Sequence, residues 1–245
     1  MGRYPEAAES TFEDGTKYVI GAGATVCEAT RMRDDYVLDK IMGALPAELQ
    51  NKKLRVLELG SGRGGMAKNI ALALKNKGIL EQYIATNISQ VENQYNARTA
   101  KVLGLEEPEY LVRHISFDDL YSEGTIKKGD KFDVISSCEA MLHSADRRAI
   151  LANVKDLLVP KGVVFISDIL VNADSPEEDI AAAKARFSDS TLGSGKEYET
   201  NFAELGYEKV SVDYETHHLQ RHYGLIRHTA TSSKKEEMLG PNGVS

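Results

Sequence analysis

Cysteine is scarce in this chain of 245 residues: only Cys27 and Cys138 are present, far apart and in no CxxC pair. A disulfide framework or a cysteine-based metal knuckle is thereby excluded, and reduced thiols in a cytoplasmic setting are expected. Apolar residues nowhere run to the ~18–20 that a membrane helix needs. The opening Met-Gly-Arg-Tyr-Pro-Glu lacks an apolar secretory core, and Glu6 stands where a myristoylation signal needs Ser or Thr. Dense Lys/Arg runs are missing too. With 30 basic against 37 acidic residues the formal charge is −7, which argues against a nucleic-acid groove or an anionic membrane surface. The pairs His217-His218 and His222 with His228 have no Cys or paired acids at ligand spacing, so no metal site is expected. What is there is ordinary globular material, 42% hydrophobic and 27% charged, at a length that suits one domain.

Periodicity then divides the chain. A loose polar arm is followed from Thr25 by a helical pattern in Val26, Ala29, Tyr36, Val37, Ile41, Ala44 and Leu45, stopped at Pro46. Strand and helix patterns alternate afterwards: strands are predicted over 54–59, 82–86, 109–115, 132–136 and 162–169. Helices are predicted over 65–77, 90–103 and 146–158, closed by Gly78, Gly104 and Pro160 respectively. Such alternation implies right-handed βαβ units and an α/β fold, a doubly wound, mostly parallel sheet with helices on both faces. A helix over 174–189 starts well at Ser175-Pro176-Glu177-Glu178. The spacing predicts a polar link over 191–196, a short helix over 201–205, an alternating strand over 207–214 and a frayed tail over 229–245. With no repeat and no interdomain linker, residues 1–245 read as one domain.

The segment VLELGSGRGG, residues 56–65, carries the most chemistry. Gly60, Gly62 and Gly64 follow the first strand and precede a helix, a spacing that lets a backbone approach a ligand closely. A ligand-free tight turn gives the same spacing. No Gly-Lys-Ser/Thr follows, which excludes a phosphate loop. Gly60, Gly62 and Gly65 also satisfy GxGxxG, so glycines alone leave a dinucleotide open. Glu58 weighs against it, because a carboxylate there repels a pyrophosphate and attracts an ammonium or sulfonium. A carboxylate capping nearby amides is the structural alternative. The second strand ends at Asn87, where an acid is usual; an amide still bonds a hydroxyl but brings no charge.

With these segments in order, the sequence resembles class I S-adenosylmethionine-dependent methyltransferases: VLELGSGRGG, YIATNIS, HISFDDL, FDVISSCEAMLH and LLVPKGVVFISD match their five motifs. NISQVENQYN, EAMLHSADR, CEATRMRDDYVLDKI and the His222-Tyr223 pair in LQRHYGLI resemble sarcosine/dimethylglycine N-methyltransferases more narrowly. The resemblance implies a Rossmann-like fold with an N-terminal helical lid, and S-adenosyl-L-methionine as cofactor, leaving as S-adenosyl-L-homocysteine. It implies that Gly60, Ser61, Gly62 and Gly64 wrap the cofactor near Glu58, that Asn87 holds the ribose and that Ile88, Ser116 and Phe117 meet the adenine. Ser137 would line the methionine end, while Glu139, Met141 and His143 would face the transferred methyl. Arg63 departs from the pattern, which commonly has an aromatic residue there. No apolar strand follows Thr229, so the closing antiparallel strand is expected to be missing or the chain shortened.

Methyl transfer to an amine needs alignment, exclusion of water and a neutral lone pair. His143 is the first candidate proton acceptor, with Glu139 and Tyr223 behind it; a strand-end residue bonding the backbone is the alternative for His143. Tyr18, Arg31, Arg186 and His222 are candidates to hold a zwitterionic substrate, arginine through its fork and tyrosine through its ring. Core or surface roles compete for each. The expected partner is a small molecule, with the chain a monomer or homodimer and neither nucleic acid nor membrane involved. N-methylation of sarcosine or dimethylglycine toward betaine leads. S-methylation of a thioether acid such as methylthio-hydroxybutyrate, toward a sulfonium osmolyte, is the alternative, ahead of an idle cofactor-binding subunit.

Overall fold

The computed structural model describes residues 26–122, 124–144, 146–172, 174–186 and 191–216. The chain parts into two units, Ile41–Val210 and a second made of Met1–Lys40 with Ser211–Ser245. In the larger unit β1 (Leu54–Leu59), β2 (Leu80–Thr86), β3 (Tyr110–Arg113), β4 (Phe132–Cys138) and β5 (Leu158–Ser167) form one parallel sheet. Their order is β3-β2-β1-β4-β5. The chain thus steps outward from β1 to β3, returns to the other side of β1, and steps outward again to β5. Right-handed crossovers then put α3 (Gly65–Asn76) and α4 (Gln90–Val102) on one face and α5 (Arg147–Leu157) on the other. The order reverses between β1 and β4, and the carboxyl ends of those two strands frame the crevice that such sheets use for ligands.

Local sequence explains these elements. Leu54, Val56, Leu57 and Leu59 are all buried, as expected of a central strand covered on both faces. Along α3, Met66, Ala67, Ile70, Ala71 and Leu74 repeat at helical spacing and bury one face. Ser89 caps α4 by accepting the Glu92 N–H at 3.4 Å, and Asp146 caps α5 by accepting the Ala149 N–H at 2.9 Å. Leu57, Leu59, Ile135, Leu151, Val154 and Leu157 belong to the main core, which α5 seals.

Three expectations need correction. Pro160 does not close the helix before it; α5 stops at Leu157 and Pro160 lies inside β5, the last strand of the order, where a missing N–H is tolerated at an edge. The polar stretch over 191–196 is no mere link. Ser194 accepts the Glu197 N–H at 3.2 Å and starts α7 (Gly195–Glu204), so that helix is twice as long as the pattern suggests. Residues 207–214 alternate like a strand but pair with no strand among the described residues, and Val210 and Tyr214 are largely exposed. Periodicity gives a segment the capacity to be a strand, and pairing has to supply the rest.

The remaining elements are α1 (Val26–Ala44), the single turn α2 (Ala47–Gln50), a 3₁₀ turn (Met141–His143) and α6 (Glu177–Arg186). In the smaller unit the Tyr36 hydroxyl donates to Asp213 at 3.0 Å and Lys40 pairs with Asp213 at 2.6 Å. Burial, and then the Asp213 carboxylate, push the Tyr36 phenol up to about 12. No helix among the described residues is long and apolar enough to cross a membrane.

Arg147 ties α5 to α7. Its buried guanidinium bonds both Glu197 oxygens, at 2.8 and 3.2 Å, and the Thr191 carbonyl. Removing Glu197 strands a buried cation. Glu197→Ala is expected to lower the unfolding free energy in urea by about 2–3 kcal/mol, less than a fully buried pair because Glu197 is partly open to solvent.

Candidate functional site

The loop from Gly60 to Gly64 links β1 to α3 in a form that other residues disfavour: Gly60, Gly62 and Gly64 all have positive φ, at 77°, 52° and 69°. The Gly60 and Ser61 N–H groups both donate to the Thr86 carbonyl, at 3.0 and 2.8 Å, which anchors the loop to the end of β2. Two glycines are there for packing. A Cβ at Gly60 would stand 2.3 Å from the Ala140 Cβ, and one at Gly64 would stand 2.1 Å from the Asn96 amide oxygen. At Gly62 a Cβ would meet nothing within 4 Å. Among the described residues Gly62 is therefore the glycine of the three that faces open space, and beside it the Ser61 hydroxyl is buried with no hydrogen-bond partner among them.

Beneath the loop lies a buried polar network. Glu58 is 2% exposed and accepts the Tyr83 phenol at 2.6 Å. Tyr83 stacks on Tyr110, whose hydroxyl donates to the Asn96 oxygen at 3.0 Å. The same oxygen accepts the Lys68 ammonium at 3.4 Å, and Lys68 also donates to the Arg63 carbonyl at 2.8 Å, bracing the loop from below. Burial pulls Lys68 down to about 8, with the Glu58 charge opposing the fall. Burial raises Tyr83 and Tyr110, and the Glu58 carboxylate adds to both. Glu58 thus lies buried under the loop, where it takes a hydrogen bond from a phenol of β2.

Around the loop the expected residues fall into groups. Asn87 is buried at the end of β2, its side-chain N–H groups toward Glu92 at 3.0 Å and the Gly62 carbonyl at 3.5 Å. Ile88 is 62% exposed, a large apolar side chain left open next to it, and its carbonyl contacts the His114 ring at 2.7 Å. Ser116 accepts the Asp118 N–H. Phe117 is buried in the core cluster with a ring carbon 3.7 Å from where a Gly60 Cβ would lie, so it supports the loop from within. Ser137 is buried too, its hydroxyl donating to the Leu59 carbonyl at 3.0 Å.

At the end of β4, Glu139 is exposed and holds φ at 52°, a conformation that costs a non-glycine residue roughly 1–2 kcal/mol. Its N–H donates to the Ser167 carbonyl at 2.7 Å, tying this turn to β5. His143 is exposed in the 3₁₀ turn, and its ring bonds no described residue. Met141 lies in the core at 1% exposure. Arg31 is exposed on α1, in the smaller unit, and Arg186 ends α6 with its side chain outside the described part. Tyr18, His222 and Tyr223 lie outside the described residues.

Sequence reading passed over Lys68, Glu92 and Asp168. Lys68 interrupts the apolar stripe of α3, and a charge in such a stripe signals a buried partner. Glu92 stands three residues after the helix cap Ser89, a spacing that marks reciprocal capping. Asp168 follows β5, accepts the Tyr198 phenol at 2.6 Å, and is raised by burial against the pull of that bond. Nothing in its local sequence announces that contact, since Tyr198 comes from α7.

The family model described as a methyltransferase domain matches residues 30–212. A glycine/sarcosine/dimethylglycine N-methyltransferase from Actinopolyspora halophila is 30% identical over 74% of this chain and 30% of its own length. A sarcosine/dimethylglycine N-methyltransferase from Halorhodospira halochloris is 30% identical over 70% of this chain and 58% of its own. The chain thus spans less than two thirds of either relative. Among solved structures, a candidate sarcosine dimethylglycine methyltransferase from Galdieria sulphuraria superposes with a TM-score of 0.71 at 22% identity, covering 85% of this chain and 74% of that one. At that identity the likeness concerns the fold.

The loop geometry separates its glycines by experiment. Gly64→Ala is expected to cost about 2–5 kcal/mol in urea unfolding, from overpacking plus left-handed strain, and Gly62→Ala only the strain of ~1–2 kcal/mol. Equal losses would contradict the packing at Gly64. Lys68 gives a pH signature. Its folded value near 8 lies below the ordinary 10.5, so the unfolded chain binds more protons between those values and this group's contribution to stability rises with pH. Wild type measured against Lys68→Met should gain stability from pH 7 to 9.5; parallel curves would refute the burial of the charge.

Proposed function

The chain belongs to the methyltransferase domain family, and from that premise we propose that it moves a methyl group from S-adenosylmethionine to a small zwitterionic amine, sarcosine or dimethylglycine, giving betaine as the final product. The observation that carries the cofactor reading is the loop after β1: among the described residues, Gly62 opens onto free space beside a buried Ser61 hydroxyl that lacks a partner. A ligand that brings a polar atom to that hydroxyl and backbone-close contact to Gly62 fits there, and the Glu58 charge below suits a cationic one. Residues 54–169 carry this cofactor, with Gly60, Ser61, Gly62 and Gly64 around its amino-acid part, Asn87 at the ribose and the open face of Ile88 at the base. Relatives named for sarcosine and dimethylglycine support the acceptor.

When bound, the sulfonium supplies an activated methyl group and a good leaving group. The chain supplies alignment and proton handling. Amines arrive mostly protonated at neutral pH, and an ammonium has no lone pair with which to attack. His143, exposed just past β4 and bonded through its ring to no described residue, accepts that proton, with Glu139 the second candidate for the role.

Isotope-labelled S-adenosylmethionine offered with glycine, sarcosine, dimethylglycine and a methylthio-hydroxy acid tests the reading. Label is expected in dimethylglycine and betaine. Label only in a thioether product would move the acceptor from nitrogen to sulfur and remove the need for a base. His143→Ala is expected to lower kcat/KM for amines by about 10²-fold or more at neutral pH, with S-adenosylhomocysteine affinity unchanged. Unchanged turnover would remove His143 from the proton path.

A further inference from the structure

Two side chains near the loop are unusual for their positions: Arg63 within it and Asn87 at the end of β2. Both meet Glu92, in the first turn of α4. The Glu92 carboxylate accepts the Asn87 amide N–H at 3.0 Å through one oxygen and faces the Arg63 guanidinium at 3.7 Å through the other. Arg63 in turn lies over the Tyr95 ring, 5.7 Å from its centre, one turn further along α4. Glu92 sits at the third position after its helix cap, from which an acid ordinarily reaches back to the cap's own N–H. Here its backbone N–H bonds the Ser89 hydroxyl, but its carboxylate is turned to Asn87, with no bond to the Ser89 N–H among the described residues. A good local capping bond has been given up for contacts with Asn87 and with Arg63 of the glycine loop.

That contact decides which end of Asn87 is available. The two halves of an amide are close to the same shape, and a half-turn about the last torsion exchanges donor and acceptor. In the arrangement present, the amide nitrogen serves Glu92 and the Gly62 carbonyl, both acceptors. The flipped amide would set its oxygen against the Glu92 carboxylate and the Gly62 carbonyl, which is repulsive. Asn87 is therefore fixed with its oxygen, which accepts nothing from the described residues, as the end left for a ligand. An oxygen acceptor selects hydroxyl donors.

We propose that Glu92 is a positioning residue for the ribose of the cofactor: held by Arg63, it locks the Asn87 amide so that the oxygen accepts a ribose hydroxyl. The proposal rests on the cofactor reading above. It accounts for both unusual residues together. The amide provides the acceptor, and the negative charge expected at the end of β2 is supplied instead from α4, with Arg63 as its counter-ion.

Calorimetric titration of the full chain with S-adenosylhomocysteine and with its 2′,3′-dideoxy counterpart tests this, with thermal unfolding of each variant as a check on folding. Wild type should prefer the ribose ligand. Glu92→Ala should weaken the ribose ligand by about tenfold and the dideoxy ligand little, so that the preference collapses. Glu92→Gln keeps an acceptor for the Asn87 amide and should retain most of the preference. Asn87→Asp alone brings two carboxylates together and should lose it, and Asn87→Asp with Glu92→Gln exchanges acid and amide and should regain it. A Glu92→Ala variant that keeps the wild-type preference, or that loses both ligands in equal proportion, overturns the positioning role. Wild type that binds neither ligand overturns the cofactor reading itself.

Discussion

Gly60 and Ala140 share a space too small for two methyl groups, since a Cβ on Gly60 would stand 2.3 Å from that of Ala140. The turn after β1 is thereby seated directly on the turn after β4, at the point where the strand order reverses. From this contact the rest of the rim is fixed. Gly60 and Ser61 bond back to the Thr86 carbonyl, which joins β2 to the same assembly, and the Glu139 N–H bonds the Ser167 carbonyl, which joins β5. Four strand ends are locked by one close approach and three hydrogen bonds. Glu139 accepts a left-handed backbone as part of that arrangement, a strain of the sort found where a surrounding structure over-determines a residue.

Charge under the rim follows a similar economy. Glu58 is buried, so its carboxylate has to be met by donors within reach, and Tyr83 on the neighbouring strand provides one. Tyr110 and Asn96 extend the network, and Lys68 links it to the Arg63 carbonyl in the loop above. The outcome is a polar layer between a parallel sheet and its glycine turn that is braced through side chains from β2, β3, α3 and α4. Burial raises the phenols and lowers the amine.

Much of this was legible in the sequence, and the gaps have physical causes. The alternation of strand and helix, the glycine turn, and the helix ends at Gly78 and Gly104 depend on neighbours in sequence, and the structure carries them. Residues 207–214 have the right alternation for a strand, yet a strand also needs a partner, and a pattern has no information about partners. Pro160 reads as a helix stop because proline cannot continue a helix; that it lies in an edge strand depends on the order of the sheet. At the site, glycine spacing marked Gly60, Gly62 and Gly64 alike, but two of them are required by Ala140 and Asn96, residues far away in the chain. Met141 and Phe117 show the same limit, because their motif positions said nothing of how deeply each is packed.

By itself the sequence determined the class of fold, the place of the glycine turn after the first strand, and the residue types gathered near it. Those properties follow from backbone preference and hydrophobic period, which act over a few residues. Tertiary structure alone decided that Gly60 and Gly64 are packed against Ala140 and Asn96, that a phenol answers Glu58, and that Glu92 faces Arg63 of the glycine loop. Each is a contact between segments brought together by the crossovers of the sheet. Close packing and buried hydrogen bonds act over a few ångströms in space without regard to separation along the chain, and only the folded chain sets those distances.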